Sequence, residues 1–155
     1  MAKAPNLAHT QRSCFIRPAR AGDYEKMAVL AGQLGYPSTA AQIEARFAPM
    51  ENSSMYALFV AEDAASDLVG WISTYLFRSM AMDCFAEISG LVVDENNRSR
   101  GVGKLLLKAG EDWARAQGCS RLSVRSNVSR ERAHRFYARN GFEQVKTQVC
   151  LSKKL

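Results

Sequence analysis

The stretch from Glu87 to Gln117 constrains this chain more than any other. It passes from an apolar, β-type segment (Ile88 to Val93) through a polar turn (Asp94 to Ser99) to a Gly-x-Gly step at Gly101 and Gly103. Apolar residues at helical spacing follow: Leu105, Leu106, Ala109 and Trp113. A strand, a glycine turn and a helix in that order gather the unsatisfied N–H groups of a helix start at one point. The glycines carry no Cβ, so an anion can approach the backbone closely. Arg98, Arg100 and Lys104 flank the turn with positive charge. A pyrophosphate is the natural ligand for such a place. Two familiar phosphate loops fit badly. The Walker pattern requires Ser or Thr after its lysine, where Leu105 follows Lys104, and the dinucleotide fingerprint requires a third glycine where Leu106 stands.

With 155 residues, 47% of them hydrophobic, the chain can bury a core of its own and reads as one domain. Residues 1–12 read as a flexible lead-in and residues 13–155 as the folded domain. The polar N-terminus lacks the apolar core of a signal peptide, and no apolar run approaches the ~20 residues of a membrane span, so a cytoplasmic protein is expected. Cys14, Cys84, Cys119 and Cys150 form no Cys-x-x-Cys pair, and His9 and His134 lie far from them in sequence. That argues against a metal site and a disulfide framework, and for small buried thiols. The net charge of +6 is concentrated late, from Arg98 to Arg139. Such a surface suits a polyanion, either nucleic acid or a phosphorylated cofactor. No aromatic stacking platform is interleaved with the basic residues, which argues against single-stranded nucleic acid.

In chain order, Cys14 to Pro18 reads as a short strand. Asp23 can cap a helix carrying Met27, Leu30, Ala31 and Leu34, ended at Gly35. Ser38 or Thr39 caps a second helix with Ile43, Phe47 and Met50 on one side. Met55 to Glu62 and Leu68 to Phe77 form a hairpin, with a bulge expected near Gly70. Phe85 to Val93 is the next strand, followed by the glycine turn and its helix, which stops at Gly118. Arg121 to Ser126 alternates as a strand does. Arg130 to Asn140 is a helix with Ser129 as its cap, and Phe142 to Lys146 and Thr147 to Ser152 make a final pair of short strands. The resulting order, β-α-α-β-β-β-α-β-α-β-β, specifies a mixed sheet with helices on both faces, an α/β (α+β mixed) class.

Two motifs in this order carry a family resemblance. Arg98-x-x-Gly101-x-Gly103 directly after a strand resembles the acyl-CoA pyrophosphate loop of the GNAT superfamily of N-acetyltransferases. Asn127…Ala133-His134-Arg135-Phe136-Tyr137…Gly141-Phe142 resembles its second motif. The resemblance covers the chain from about Ser13 to its end, and within the superfamily it is to small bacterial members of unassigned substrate. It implies the GNAT fold and transfer of an acetyl group from acetyl-CoA to a primary amine of a small molecule, by direct attack in a ternary complex. It implies no metal and no membrane, and it leaves a homodimer open. A protein N-terminal or lysine acetyltransferase is a second enzymatic reading, and a non-catalytic acyl-CoA-binding regulatory module is a third.

The chemistry assigns roles. An alkylammonium has a pKa of ~10 and no lone pair when charged, so the acceptor must lose a proton; a departing thiolate of pKa ~8.5 is helped by an acid. In the family the strand holding Leu91, Val92 and Val93 parts from its neighbour and pairs with the pantetheine arm, one N–H polarising the thioester oxygen. Residue type therefore matters little there. Arg98, Ser99, Arg100, Gly101, Val102, Gly103 and Lys104 form the phosphate cradle, and Asn127 holds the cofactor arm. Glu87, fourteen residues before Gly101, matches in spacing the general-base glutamate of the histone-acetyltransferase branch; the plainer reading is a glutamate paired to an arginine. Tyr137 stands where a phenol commonly protonates the thiolate, or else packs as a core tyrosine. His134 shares its helix face. Ser89 shares a strand face with Glu87, and Tyr36 and Phe47 are candidates to line the acceptor pocket. Glu44, Glu51 and Asp83 are the acids near it, too few to decide the acceptor's charge.

Overall fold

The computed structural model describes residues 14–155, so the proposed lead-in, residues 1–12, lies outside the described residues. The chain divides into two compact units, one ending at Val124 and the other running from Arg125 to Leu155.

The first unit is a five-stranded sheet in the order β1-β2-β3-β4-β5, with β1 Phe15–Pro18, β2 Tyr56–Glu62, β3 Leu68–Phe77, β4 Phe85–Val93 and β5 Leu122–Val124. The first four pair antiparallel, and β5 joins β4 in parallel. Pro18 sits on an edge strand, the only kind of strand that tolerates a residue with no N–H. The β2–β3 register skips Val69, a bulge beside Gly70 where one was expected. A Cβ at Gly70 would lie 2.7 Å from the Val92 carbonyl oxygen, so only glycine fits.

Alternation along β3 sorts its residues cleanly. Ile72, Thr74 and Leu76 are buried, whereas Trp71, Ser73, Tyr75 and Phe77 are half-buried on the opposite face. Against the first face lies α3 (Val102–Ala116), which buries Leu106, Leu107, Gly110 and Ala114. Gly110 makes the close seat: its missing Cβ would stand 3.0 Å from Ile72 Cδ1 and 3.2 Å from Thr74 Cγ2. Leu105, expected among the apolar stripe, is exposed instead, because the buried stripe is set by Val102, Leu106 and Gly110 one step round the helix.

Against the other face lie α1 (Tyr24–Leu34) and α2 (Ala40–Phe47). Met27, Leu30, Ala31 and Ile43 join Val60, Leu68 and Val92 in one apolar cluster. Gly35 ends α1 in the left-handed conformation at φ 97°, and Thr39 caps α2 in a reciprocal box with Gln42. Asp23 occupies the N-cap position of α1 without capping it. Its carboxylate is taken by the Arg17 guanidinium, at 2.8 Å to each oxygen, and by the Arg20 N–H.

In the second unit, α4 (Glu131–Arg139) is followed by Gly141 at φ 86°. Its N-cap is Arg130 rather than Ser129, whose N–H and hydroxyl both donate to Asn127 Oδ1. The expected strands Phe142 to Lys146 and Thr147 to Ser152 do not form; no strand follows β5 among the described residues. Val145, Val149 and Leu151 are all more than 80% exposed. Alternation predicts a strand only where one face is buried, and a lone ribbon without such a face is marginal in water. Two of the cysteines also differ from expectation: Cys84 and Cys150 are exposed, not buried.

Candidate active site

Two features of β4 set up the site. First, it pairs with β5 only from Ala86 to Ile88. Second, its register against β3 jumps from Ile88 to Gly90, so Ser89 bulges out of the ladder. Beyond that bulge, Gly90, Leu91, Val92 and Val93 keep β3 on one side and face no strand on the other among the described residues. An unpaired strand edge presents N–H and C=O groups to whatever lies beside it.

The strand then leads into the glycine turn. Ser99 adopts φ 63° and Gly101 φ 83°, and Gly101 caps α3. Nothing lies within 4 Å of where a Gly101 Cβ would be, so the turn is open in front of the helix start. The first main-chain bond of the helix runs from the Leu105 N–H to the Gly101 carbonyl, which leaves the preceding first-turn N–H groups outside the helical ladder. Arg100 and Lys104 are exposed beside them. Arg98 turns the other way: its Nε donates to the Val93 carbonyl at 3.1 Å, locking the turn to the end of β4. Asp94 fixes it further, accepting from the Gln33 side chain of α1 at 3.0 Å. That bond, with others from Asn96 and Asn97, holds the Asp94 carboxyl below its usual range.

Glu87 is 5% exposed, one of the few buried charged residues. Its cross-strand partner Tyr75 donates its phenol O–H to Glu87 Oε1 at 2.6 Å. The same face of the sheet continues through Ser73 to Trp71 and borders a cavity of about 260 Å³. Met27, Ala31 and Leu34 of α1 and Ile43 and Phe47 of α2 supply its apolar roof, and Trp71, Ser73, Ser89 and Gly90 supply its floor. Tyr36 and Phe47, both candidates from the sequence, line it. A Cβ on Gly90 would stand 2.7 Å from the Trp71 ring, so glycine here gives the indole its place. The Trp71 Nε1–H reaches the Met27 carbonyl at 3.4 Å.

Sequence reasoning did not single out Trp71, Ser73, Tyr75 or Arg46. Period-2 alternation through Trp71-x-Ser73-x-Tyr75 was the available signal, but which face meets α1 depends on long-range pairing. In the second unit, Tyr137 packs between Phe136 and Phe142, with ring centroids 5.3 and 5.1 Å away. Burial pushes its phenol up to about 12, against a lowering pull from Arg130. Asn127 spends its Oδ1 locally on Ser129 and keeps the two N–H donors of its amide. His134 is exposed.

A sequence model of the acetyltransferase (GNAT) family matches residues 24–142. The chain belongs to that family. Relatives of this GNAT chain include an aminoalkylphosphonate N-acetyltransferase of Salmonella typhimurium, 35% identical over 79 residues, covering 50% of this chain and 51% of the relative. An aminoglycoside N(6′)-acetyltransferase type 1 of Klebsiella aerogenes is 30% identical over 82 residues, covering 50% and 54%. The match thus spans about half the length of these curated relatives. Among solved structures, AAC(6′)-Iy in complex with the bisubstrate analogue CoA-S-monomethyl-acetylneamine superposes with a TM-score of 0.81 at 20% identity, covering 92% of this chain and 99% of that one. At that identity the likeness is one of fold. No helix among the described residues is long and apolar enough to cross a membrane, and no group of three or more His, Cys, Asp and Glu among them could hold a metal ion.

Proposed function

We propose that this GNAT chain is an N-acetyltransferase that moves an acetyl group from acetyl-CoA to the primary amine of a small molecule. One observation carries the reading: a β4 edge released by the Ser89 bulge runs directly into an open, glycine-capped helix start flanked by Arg100 and Lys104. That combination offers main-chain pairing for an amide-bearing arm and N–H donors for a diphosphate in one continuous stretch. The residues therefore fit the donor. The N–H groups of Val102, Gly103 and Lys104 and the side chains of Arg100 and Lys104 would hold the diphosphate. Arg98 and Ser99 shape the turn, and the main chain of Leu91, Val92 and Val93 would hold the arm; for Asn127 the same role is what the family resemblance implies. Bound there, acetyl-CoA supplies the activated acyl group.

The remaining chemistry belongs to side chains. Glu87 lies on the cavity's face of the sheet and accepts the acceptor's ammonium proton, directly or through water, while Tyr75 fixes one of its oxygens. A main-chain N–H of the freed β4 edge polarises the thioester oxygen. Tyr137, with a phenol at about 12, stays protonated at neutral pH. The family resemblance makes it the acid that protonates the departing sulfur, and its raised value keeps that proton in place at neutral pH. The cavity of about 260 Å³ suits a small-molecule amine, and a buried carboxylate on the same face of the sheet, outside the cavity lining, favours catalysis over acyl-CoA storage.

A thiol-release assay with acetyl-CoA across small amines, antibiotics and peptides tests this. Stoichiometric thiol release that requires an amine is the expected result. Tight CoA binding with no release for any amine would leave only the non-catalytic module.

A further inference from the structure

We propose that the acceptor is a compact amine with an apolar body and an anionic group, and that Arg46 is the residue that selects it. This rests on the acetyltransferase reading above and names the substrate class of the same site. The walls decide the body. The α1–α2 cavity is lined mainly by aliphatic and aromatic side chains, with Trp71 and Phe47 as its two large rings. At about 260 Å³ it is at the small end of ligand sites, which suits a small molecule.

The charges decide the rest. A pocket for a polycation needs carboxylates, because an ammonium group removed from water is costly unless paired. Among the described residues no acidic side chain lines this cavity. Glu44, Glu51 and Asp83, the acids that the sequence left as candidates, are all outside it. Among the described residues its one charged lining residue is Arg46, in the last turn of α2. The guanidinium is held by Ser38, whose hydroxyl oxygen accepts from Nη1 at 2.8 Å, and it makes no ion pair with a carboxylate among the described residues. A guanidinium fixed at one nitrogen still presents other N–H donors, in the fork geometry that matches a carboxylate or a phosphonate.

The far side of the cavity is built differently. Ser89 Oγ lies 2.9 Å from Ser73 Oγ on the sheet floor, on the face that continues to Tyr75 and Glu87. Hydroxyls toward the proposed base and a cation at the opposite, helical wall give the site a direction. The amine goes to the sheet, the apolar body lies against Trp71 and Phe47, and the anion meets Arg46.

The test compares matched amines in the thiol-release assay: phenylethylamine, 4-(2-aminoethyl)benzoate and 4-(2-aminoethyl)phenylphosphonate, which carry amine and anion at opposite ends of the ring, with spermine and kanamycin. Calorimetric binding of 3-phenylpropionate to the enzyme without acetyl-CoA reads the pocket independently of turnover. A hydrogen bond to a charged group corresponds to about 10- to 100-fold in affinity. The anionic amines should therefore exceed phenylethylamine in kcat/KM by about that factor, mainly through KM. Arg46→Ala should collapse the difference, Arg46→Lys should restore part of it, and both variants should keep the wild-type melting temperature. The phosphonate and carboxylate arms show which anion Arg46 prefers. Preference for spermine or kanamycin, or 3-phenylpropionate binding that Arg46→Ala does not weaken, overturns the proposal. Failure of every amine with 3-phenylpropionate still bound through Arg46 would instead strike the acetyltransfer reading and leave this pocket assignment standing.

Discussion

A glutamate buried to 5% exposure in an apolar strand has to be held by something, and here a tyrosine holds it. Removing the carboxylate's basicity while keeping its shape separates catalysis from packing. Glu87→Gln should lower kcat by about 10²-fold or more, the range of a lost general base. The acidic limb of the pH–rate profile should go with it; a profile that keeps its shape and loses only amplitude would remove Glu87 as the base. Tyr137→Phe removes the proposed proton donor to the departing thiolate, a phenol that burial keeps protonated at neutral pH. The expected loss in kcat is about 10²-fold, the lower end for a lost general acid. CoA affinity by calorimetry should not move, and no alkaline limb below pH 10 should be traceable to this residue. Both residues were legible in the sequence, because an acid among Phe85, Ala86 and Ile88 and a Phe-Tyr pair before Gly-Phe stand out by type. Tyr75, Trp71 and Arg46 were not. Each matters through a neighbour 12 or more residues away, or through a cavity assembled from five elements, and local pattern carries no such information.

At the scale of elements, the α3 start carries the donor site, and Gly101 separates two costs. Its φ of 83° penalises any side chain by about 1–2 kcal/mol, yet open space surrounds the missing Cβ. Gly101→Ala should thus weaken CoA binding only modestly. Gly101→Glu, which sets a carboxylate before the same N–H groups, should abolish binding in calorimetry while the protein still melts cooperatively. Equal losses for both would mean that strain and not the anion site was being measured. The start of α2, the helix stops and the hairpin were readable because Thr39, Gly35, Gly118 and Asp63 to Asp67 impose local geometry, whereas Asp23 and Ser129, expected as caps, spend their side chains elsewhere. The Ser89 bulge, which frees the β4 edge, left no mark in sequence; it arises from β3 and β4 pairing out of step. The two strands expected after Gly141 show the converse, an alternating pattern at Val145, Thr147, Val149 and Leu151 with no face to bury.

At the scale of the whole molecule, one charged cluster ties β1 to the start of α1 and to β2. Arg17 grips Asp23 through both carboxylate oxygens and Glu62 at 2.7 Å. Burial alone would raise the Asp23 pKa, but the bonds from Arg17 and the Arg20 N–H outweigh it and hold the carboxyl below its usual range. A folded-state value below the unfolded one means a contribution present at neutral pH and lost as pH falls through the folded value. Asp23→Asn should therefore cost about 1–3 kcal/mol at pH 7 in chemical denaturation, with the gap from wild type narrowing below pH ~4. A gap that stays constant with pH would mean that packing, not charge, was lost. The same cluster bears on where a polyanion can bind. The open cleft beside it, about 270 Å³, holds Arg17, Arg20 and Lys26 together with Asp23, Glu62 and Asp67, so its cations already face acids. Arg100 and Lys104 have no such neighbours in the ion pairs among the described residues. Amide hydrogen exchange with and without CoA distinguishes the two places at single-segment resolution. The donor site described for β4 and α3 predicts protection in residues 90–93 and 101–105, with the 17–26 and 62–68 segments unchanged. Protection of the latter pair alone, or none along the β4 edge, would contradict it.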